Sequence, residues 1–393
     1  MVDLVQFVLR CNYYYGRLIG VINFEIDLET GEPRLTRGAT LWALAINLLT
    51  FSLVPLLISS RVWQVFLVHA NSLHQYVFLL MIFFRVSCVI VTVLSRWWQR
   101  QRLVRLLRSY RRLTLKQPHV VRLWRRGVIA KGITSFLAES VHIILGLYGM
   151  RDMLTPTIAL SVFLIYLIIS WMNIILAQYF FSLLNVHGHY LLMNEELRRI
   201  VAETHLLELL DHGKSLRQLK YCALADRLDS VALLQSQLQS LVRRLTQIFG
   251  PQTLCIYITF NATLISGAYY AFSAIRYSVD IDWTSTQTIL TLCGAILYMT
   301  DSHLTYSITS YVEIVYKEMS KIIAQYPTFA QDVDRRLITA FESLKMQLVS
   351  NPQKLSVMGL YNLERATALG IFSSLISHSL ILIQYDIKHY NAS

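Results

Sequence analysis

The sequence has few charged residues and lacks the motifs of the common enzyme classes. Only 15% of its 393 residues are charged, whereas 54% are hydrophobic. The motifs of hydrolases, kinases, dinucleotide-binding enzymes and zinc proteases do not occur, and the histidines and cysteines do not have metal-ligand spacing. We therefore expect no enzyme activity, no metal and no cofactor. The excess of apolar residues indicates a membrane protein instead.

Seven hydrophobic segments each have about 20 residues, the length that an α-helix needs to cross a hydrocarbon core of ~30 Å. We predict an all-α, polytopic membrane protein with seven transmembrane helices. The apolar run Leu4–Phe24 contains Arg10 and Arg17, so we predict a cytosolic or interfacial helix there, with an eighth span as the alternative. The predicted spans are 38–60, 73–95, 128–149, 157–184, 247–273, 284–306 and 367–387.

The basic residues predict the orientation in the membrane. Between Arg96 and Arg126, the loop 96–127 contains eleven Lys and Arg residues and no acidic residue. A nucleic-acid-binding patch would have this charge, but the loop joins two predicted spans, and the positive-inside rule explains it better. The N-terminal segment 1–37 and the loops after spans 2, 4 and 6 hold 30 of the 36 Lys and Arg residues. We therefore predict a cytosolic N-terminus, an extracellular tail at 388–393 and no nucleic-acid partner.

This topology is the reverse of that of a G-protein-coupled receptor, and the Asp-Arg-Tyr-like and span-7 Asn-Pro-x-x-Tyr motifs of that class do not occur. No internal repeat divides the spans into two halves, which argues against an inverted-repeat transporter. The cysteines lie in predicted spans or cytosolic segments, so we expect no disulfide. They are Cys11, Cys88, Cys222, Cys255 and Cys293.

Two long cytosolic connections, 185–246 and 307–366, have the pattern of helices rather than of linkers. In the first, apolar residues recur at steps of three and four, which is one face of an amphipathic helix that continues into span 5. In the second, residues 311–322 continue the helix of span 6, and residues 332–349 form another helix. The pattern fits a bundle within one subunit and an assembly platform between subunits equally well. The residues of the amphipathic face are Leu224, Leu228, Val231, Leu234, Leu238, Leu241, Leu245 and Phe249.

The last apolar segment carries polar residues on one face of its predicted helix. Glutamine is costly to place in hydrocarbon, and Gln384 shares a face with small and polar residues. Helix packing explains glycine and serine on such a face, but it explains Gln384 less well, and a pore is the alternative. Asp386 would then contribute one carboxylate to an acidic ring that attracts cations. The residues of this face are Gly370, Ser373, Ser377, Ile381 and Gln384.

Part of this segment resembles the span-7 signature of insect gustatory receptors, which is Thr-Tyr, five apolar residues and Gln-Phe. The spacing and Gln384 match, whereas Ser377, His378 and Tyr385 replace Thr, Tyr and Phe. Upstream, Met358 to Arg365 resemble the short cytosolic helix that precedes span 7 in the family. Near the N-terminus, Tyr13-Tyr14-Tyr15-Gly16 and Asn23-Phe24-Glu25-Ile26-Asp27 resemble a subgroup assigned to bitter or aversive taste neurons. The matching span-7 residues are Ser377-His378-Ser379-Leu380-Ile381-Leu382-Ile383-Gln384-Tyr385.

The resemblance implies a ligand-gated, non-selective cation channel, built as a tetramer in the plasma membrane of sensory neurons. Span 7 of each subunit would line a central pore, and cytosolic helices, including the anchor region 307–366, would hold identical or different subunits together. A small tastant, bitter or aversive in kind, would bind among spans 2 to 6. Together with the polar helix face, the resemblance gives seven candidate pore or gating residues. They are Ser373, Ser377, His378, Ile381, Gln384, Tyr385 and Asp386.

Aromatic and polar residues in the predicted outer half of the spans are candidates for contact with the ligand. Tyr and Trp are also enriched at membrane interfaces without any ligand, and this explanation stays open for each of them. Arg85 and Glu139 lie within spans, where they must be paired or hydrated, and we expect structural roles for both. The ligand candidates are Tyr76, His142, Tyr166, Tyr269, Tyr270 and Trp283.

Three alternatives stay open. One is a metabotropic seven-helix receptor whose basic loop 96–127 binds a cytosolic transducer. That loop would also contact the anionic lipid of the bilayer, so its charge does not decide the matter. The others are an odorant-type receptor of the same architecture and an auxiliary subunit without a ligand of its own.

Overall fold

The structure is a computed structural model that describes residues 4–27, 30–58, 72–149, 151, 155–209, 214–276, 285–324, 334–353, 355–357, 361–362 and 365–389. These residues are almost entirely helical, as predicted. The helices are α1 Leu4–Leu18, α2 Arg37–Leu53, α3 Ser72–Lys116, α4 Val120–Gly149, α5 Pro156–Leu209, α6 Lys214–Arg276, α7 Ser285–Ala324, α8 Arg335–Ser350 and α9 Arg365–His389. The strands, which form two antiparallel hairpins, are β1 Glu25–Ile26, β2 Pro33–Arg34, β3 Ser356–Val357 and β4 Tyr361–Asn362.

Helices of the structure overlap the predicted spans. The described part of span 1 corresponds to α2 followed by a 3-10 helix at Val54–Ile58. Spans 2 to 5 and 7 lie within α3, α4, α5, α6 and α9, and the described part of span 6 lies within α7. Among the described residues, five helical segments are long and apolar enough to cross a membrane. They are Arg37–Leu57, Ser72–Lys116, Val120–Tyr148, Pro156–Leu207 and Ser215–Tyr269.

The two longest described helices far exceed the thickness of a membrane. α5 has 54 residues and α6 has 63, so at 1.5 Å per residue they are roughly 80 Å and 95 Å long. A hydrocarbon core is only ~30 Å thick. Both helices therefore project well beyond it, as the amphipathic pattern of the connections predicts.

The projecting helices pack together in what we call the extension bundle: residues 185–209 of α5, 214–246 of α6 and 307–324 of α7, together with α8. Seven of the eight residues of the predicted amphipathic face are buried, and Leu234 is partly buried against them. Because the contacts form within a single chain, the bundle does not need a second subunit.

The basic stretch 96–127, predicted as a loop, is mostly helical. α3 continues to Lys116 and α4 begins at Val120, so only a short turn that contains Pro118 separates them. Arginine and lysine favour a helix about as much as leucine does, whereas the residue before a proline disfavours it. Hydropathy therefore indicates where the membrane span ends but not where the helix ends.

The segment before α9 also differs from the prediction. The resemblance predicts a short helix over residues 358–365. Within the described part of this segment, Tyr361 and Asn362 instead form β4, which pairs with Ser356 and Val357, and α9 already begins at Arg365. The other predicted positions lie outside the described residues.

The N-terminal helix α1 packs against the spans. The Tyr15 hydroxyl donates a hydrogen bond to Glu139 Oε1 at 2.9 Å, and its oxygen lies 2.8 Å from Ser170 Oγ. Trp171 Nε1 donates to the Ile19 carbonyl at 2.8 Å. Glu139, Ser170 and Trp171 lie near the middle of predicted spans 3 and 4, so α1 reaches deeper among the helices than a surface position would allow.

Candidate functional site

Helix α9 has two different faces in the single chain. One face packs against α6 and buries Leu375, Ser379 and Asp386. The opposite face is exposed, with Ile381 at 59%, and it carries the small and polar residues singled out by the sequence. The exposed residues of this polar face are Gly370, Ser373, Ser377, Ile381 and Gln384.

Asp386 is separated from the polar face. The sequence prediction places it with Gln384 at a pore mouth, but two residues along a helix turn the side chain by about 200°. Asp386 is 0% exposed and accepts a hydrogen bond from the Tyr269 hydroxyl at 3.2 Å. The ring of His74, on α3, lies 6.0 Å from that of Tyr269. In this conformation, Asp386 therefore joins α9 to α6 instead of facing the exposed side.

A cavity of about 370 Å³ lies among α3, α4, α5, α6 and α7, within the usual size range of small-molecule sites. Its walls are mainly apolar and aromatic. The rings of Phe260 and Tyr298 are stacked with their centroids 5.6 Å apart. Other aromatic residues on the walls are Tyr166, Tyr179, Tyr257 and Tyr306.

The cavity also contains ionisable side chains. Glu139, on α4, accepts hydrogen bonds from the hydroxyls of Tyr15 and Ser170. Arg85, on α3, donates to Thr263 Oγ1 on α6 at 3.1 Å. Both charged residues line the cavity, but their hydrogen-bond partners lie on different helices, so the two charges belong to different walls.

A buried ion pair lies at the wall of the cavity, to which Asp301 contributes. Lys131 Nζ lies 2.6 Å from Asp301 Oδ2 and donates to Thr305 Oγ1 at 2.9 Å. Asp301 Oδ1 accepts from Thr134 at 2.9 Å and from Ser135 at 2.7 Å. Since each charge is met by an opposite charge and by hydroxyl groups, the cluster can persist in an apolar surrounding. It joins α4 to α7.

Comparison with known proteins identifies the family of this chain. Residues 9–389 match the family described as 7tm chemosensory receptors. A Drosophila melanogaster protein named gustatory receptor 59d is 37% identical over 394 residues, which cover 99% of this chain and 100% of that protein. The chain belongs to the insect gustatory receptor family. It is therefore a multi-pass membrane chemoreceptor and not an enzyme.

Further comparisons agree. Gustatory receptor 36a of the same fly is 31% identical to this receptor over 401 residues, with 99% and 100% of the two chains covered. Among solved structures, the insect olfactory receptor OR5 from Machilis hrabei, in complex with eugenol, has a TM-score of 0.61. The alignment covers 96% of this receptor and 98% of OR5 at 11% identity. At that identity, the match shows that the two proteins share a fold.

The six predicted ligand residues of the receptor fall into three groups. His142 and Tyr166 line the cavity, and the Tyr166 hydroxyl donates to the His142 carbonyl. Tyr76 is 70% exposed and Tyr269 is buried against Asp386, and neither is among the cavity-lining residues. The Tyr270 side chain and all of Trp283 lie outside the described part of the chain.

The cavity also extends further than predicted. The prediction covered only the outer half of the spans, whereas the walls include Tyr179, Thr253 and Thr309, near the opposite ends of spans 4, 5 and 6. The sequence did offer a signal for the ionisable wall residues, because Arg85 and Glu139 stand out as charges within apolar segments. What it could not show is that both side chains face a common space.

The three positions where the receptor departs from the family signature, Ser377, His378 and Tyr385, are all exposed. His378 Nδ1 lies 2.6 Å from the carbonyl oxygen of Ser374, one turn earlier in α9. The rings of Tyr385 and His389 lie 4.4 Å apart. These contacts of His378 and Tyr385 are within α9, so both side chains are available to a pore or to a neighbouring subunit.

Proposed function

We propose that the receptor is a subunit of a ligand-gated, non-selective cation channel in the plasma membrane of sensory neurons, with its N-terminus in the cytosol. The exposed polar face of α9 carries this proposal. A helix in contact with lipid on that side would expose Ser373, Ser377 and Gln384 to hydrocarbon, which is unfavourable. A central pore lined by four copies of α9 would hydrate the same residues.

The extension bundle supports the assembly part of the proposal. It holds α5, α6, α7 and α8 together outside the predicted spans, and it offers a rigid surface through which identical or different subunits would associate. Lys and Arg are concentrated in the N-terminal segment and in the loops on the same side of the predicted spans, which supports a cytosolic location for this bundle.

The cavity among α3 to α7 is the proposed site for a small organic tastant, bitter or aversive in kind. Its volume and its mainly apolar walls suit such a ligand. Olfactory receptor OR5, which has the same fold, was solved with the small molecule eugenol. Two walls of the cavity belong to α6 and α7, and α6 also holds α9, so a ligand that moves α6 would move the pore helix.

Cysteine accessibility tests the pore assignment. In separate variants, Ser377, Ile381 and Gln384 are changed to Cys, and ionic current is recorded before and after a charged, thiol-specific reagent is applied. We expect the reagent to reduce the current in these variants. The matched control is Ser379→Cys on the buried face of α9, where no effect is expected. The wild-type receptor is treated in parallel because Cys11 and Cys293 are exposed.

If Ser379→Cys reacted and the other three variants did not, α9 would not line the pore on its polar face.

A second variant tests the ligand site. Ala295 lines the cavity, and Ala295→Trp would fill part of it, so we expect weaker ligand responses with an unchanged single-channel conductance. Current that required cytosolic factors in excised patches would favour the metabotropic alternative.

A further inference from the structure

Glu139 is a carboxylate without a cationic partner among the described residues. It lines the cavity, and its hydrogen bonds come from the neutral hydroxyls of Tyr15 and Ser170. The other carboxylate of the cavity, Asp301, is already paired with Lys131. A charge within a membrane span is costly unless it is paired or hydrated. Glu139 therefore offers a place for a cation that the protein itself does not supply.

Aromatic rings of the same cavity also suit a cation. Tyr166 lies one turn before Ser170, the residue that donates to Glu139, and its hydroxyl donates to the carbonyl of His142, three residues after Glu139 on α4. His142 lies edge-on to Tyr298 at 5.9 Å, and Tyr298 stacks on Phe260. The faces of tyrosine and phenylalanine rings attract organic cations, more strongly where water is excluded. A cavity that holds both a carboxylate and aromatic rings can recognise protonated or quaternary amines.

Among the described residues that line the cavity, Arg85 carries the positive charge that opposes a cation. It donates to Thr263 on α6, whereas Glu139 is held by α1 and α5. α3 packs mainly against α6, and α4 mainly against α5 and α7. A cation beside Glu139 would therefore lie near Tyr166 and His142, and an uncharged hydrogen-bond acceptor of the same ligand would fit beside Arg85.

We infer that the cavity selects organic cations of the amine class and that Glu139 is the residue that recognises their charge. This inference rests on the proposed function only in that the cavity is the ligand site. Tyr15 and Ser170 are positioning residues, since they hold the Glu139 carboxylate without facing the ligand charge. α1 thereby takes part in ligand selection, although it lies outside the predicted spans.

A pair of molecules of equal shape tests the inference. Phenyltrimethylammonium is a permanent cation, and tert-butylbenzene is its uncharged isostere. Binding of each to the purified receptor is measured by the shift of the thermal unfolding midpoint over a range of concentrations. We expect the cation to bind about tenfold more tightly, as an interaction with a charged group allows. Benzoate, an anion of similar size, is the third probe.

Glu139→Gln removes the charge but keeps the shape and the hydrogen-bond acceptor. We expect it to weaken binding of the cation about tenfold and to leave binding of tert-butylbenzene unchanged. The matched control is Glu195→Gln, which removes an exposed carboxylate paired with Arg199 on α5 and should change neither affinity. Tyr15→Phe keeps the charge of Glu139 and should preserve the preference for the cation.

Equal wild-type affinities for the two isosteres would overturn the inference, and this comparison needs no variant. A preference for benzoate would overturn it too, because Arg85 would then be the recognition group. So would unchanged cation binding in a folded Glu139→Gln protein. Since binding is measured without current, a receptor that selects the cation but never conducts would contradict the channel proposal and leave this inference intact.

Discussion

The extension bundle and the cavity region are built from the same helices, α5, α6 and α7, but these helices pack differently in the two regions. In the extension bundle they bury aliphatic side chains such as Leu197, Leu228 and Met319. In the spans they separate around a cavity of about 370 Å³, where polar contacts such as Lys131 with Asp301 join α7 to α4. Close packing holds the first region together, and a few polar groups hold the second.

This difference suggests that the two parts of each helix have different roles. Close-packed interiors resist deformation, whereas a cavity leaves helices room to shift when a ligand enters. The extension bundle would then fix one end of α5, α6 and α7 while the other end responds. Four substitutions test this comparison, and they are taken in order of the effect expected.

The largest effect is expected from Lys131→Met. It leaves the Asp301 carboxylate buried without its cation, which costs about 3–5 kcal/mol of folding free energy in comparable sites. We expect a strongly lowered unfolding midpoint of the purified receptor. The double variant Lys131→Met/Asp301→Leu removes both charges and should recover most of the loss. A double variant as unstable as the single one would mean that close packing, not charge, holds this part of the cavity wall.

A smaller loss is expected from Leu228→Ala in the extension bundle. Leu228 is 0% exposed, so the truncation creates a new void and costs about 3 kcal/mol. Its control is Leu264→Ala, which removes the same atoms from a residue that lines an existing cavity. We expect Leu264→Ala to lower the unfolding midpoint clearly less. Equal losses would show that the spans are packed as tightly as the bundle.

The sequence was sufficient to predict the packing of the extension bundle but not that the charges of the spans line a common cavity. The leucines of α6 recur at steps of three and four, and a helix places such residues on one face. Their spacing alone therefore predicts that residues such as Leu228 and Leu245 are buried. The partners of Glu139 lie 31 and 124 residues away in the chain, and the partner of Arg85 lies 178 residues away. No local pattern identifies such partners, so the two charges could be noticed but not placed on a common cavity.

Asp386 is buried on the side of α9 opposite Gln384. The prediction placed it at the pore mouth because it follows Gln384 by two residues, a step over which a helix turns by about 200°. The same rule that defines the polar face of α9 puts Asp386 with Leu375 and Ser379 on the other side. The contact with Tyr269 itself could not be predicted, since it depends on which helix packs beside α9.

Removing one hydroxyl from each region should distinguish stability from gating. Tyr269→Phe deletes the donor to Asp386, and Tyr316→Phe deletes the hydroxyl that contacts the carbonyls of Leu348 and Asn351 at 3.0 Å and 2.9 Å. Each change costs about 1 kcal/mol of stability. Only Tyr269→Phe should shift the ligand concentration for half-maximal current, because only it loosens α9. A similar shift in Tyr316→Phe would mean that the extension bundle also moves during gating.

The smallest effect is expected at the surface of the extension bundle, where Arg198 on α5 pairs with Glu318 on α7. The two side chains are 58% and 39% exposed, and exposed ion pairs contribute about 0–1 kcal/mol, which salt screens further. Arg198→Gln should therefore lower the unfolding midpoint only slightly at low salt and not at all at high salt.

A much larger effect of Arg198→Gln would also be informative. If the proposed tetramer covers this pair, Glu318 would be left buried and unpaired between subunits, which costs several kcal/mol. The variant would then lose its tetrameric size in detergent as well as its stability, and Arg198 and Glu318 would mark where subunits meet. A small, salt-sensitive effect with intact assembly would instead place the subunit contact on another face of the extension bundle.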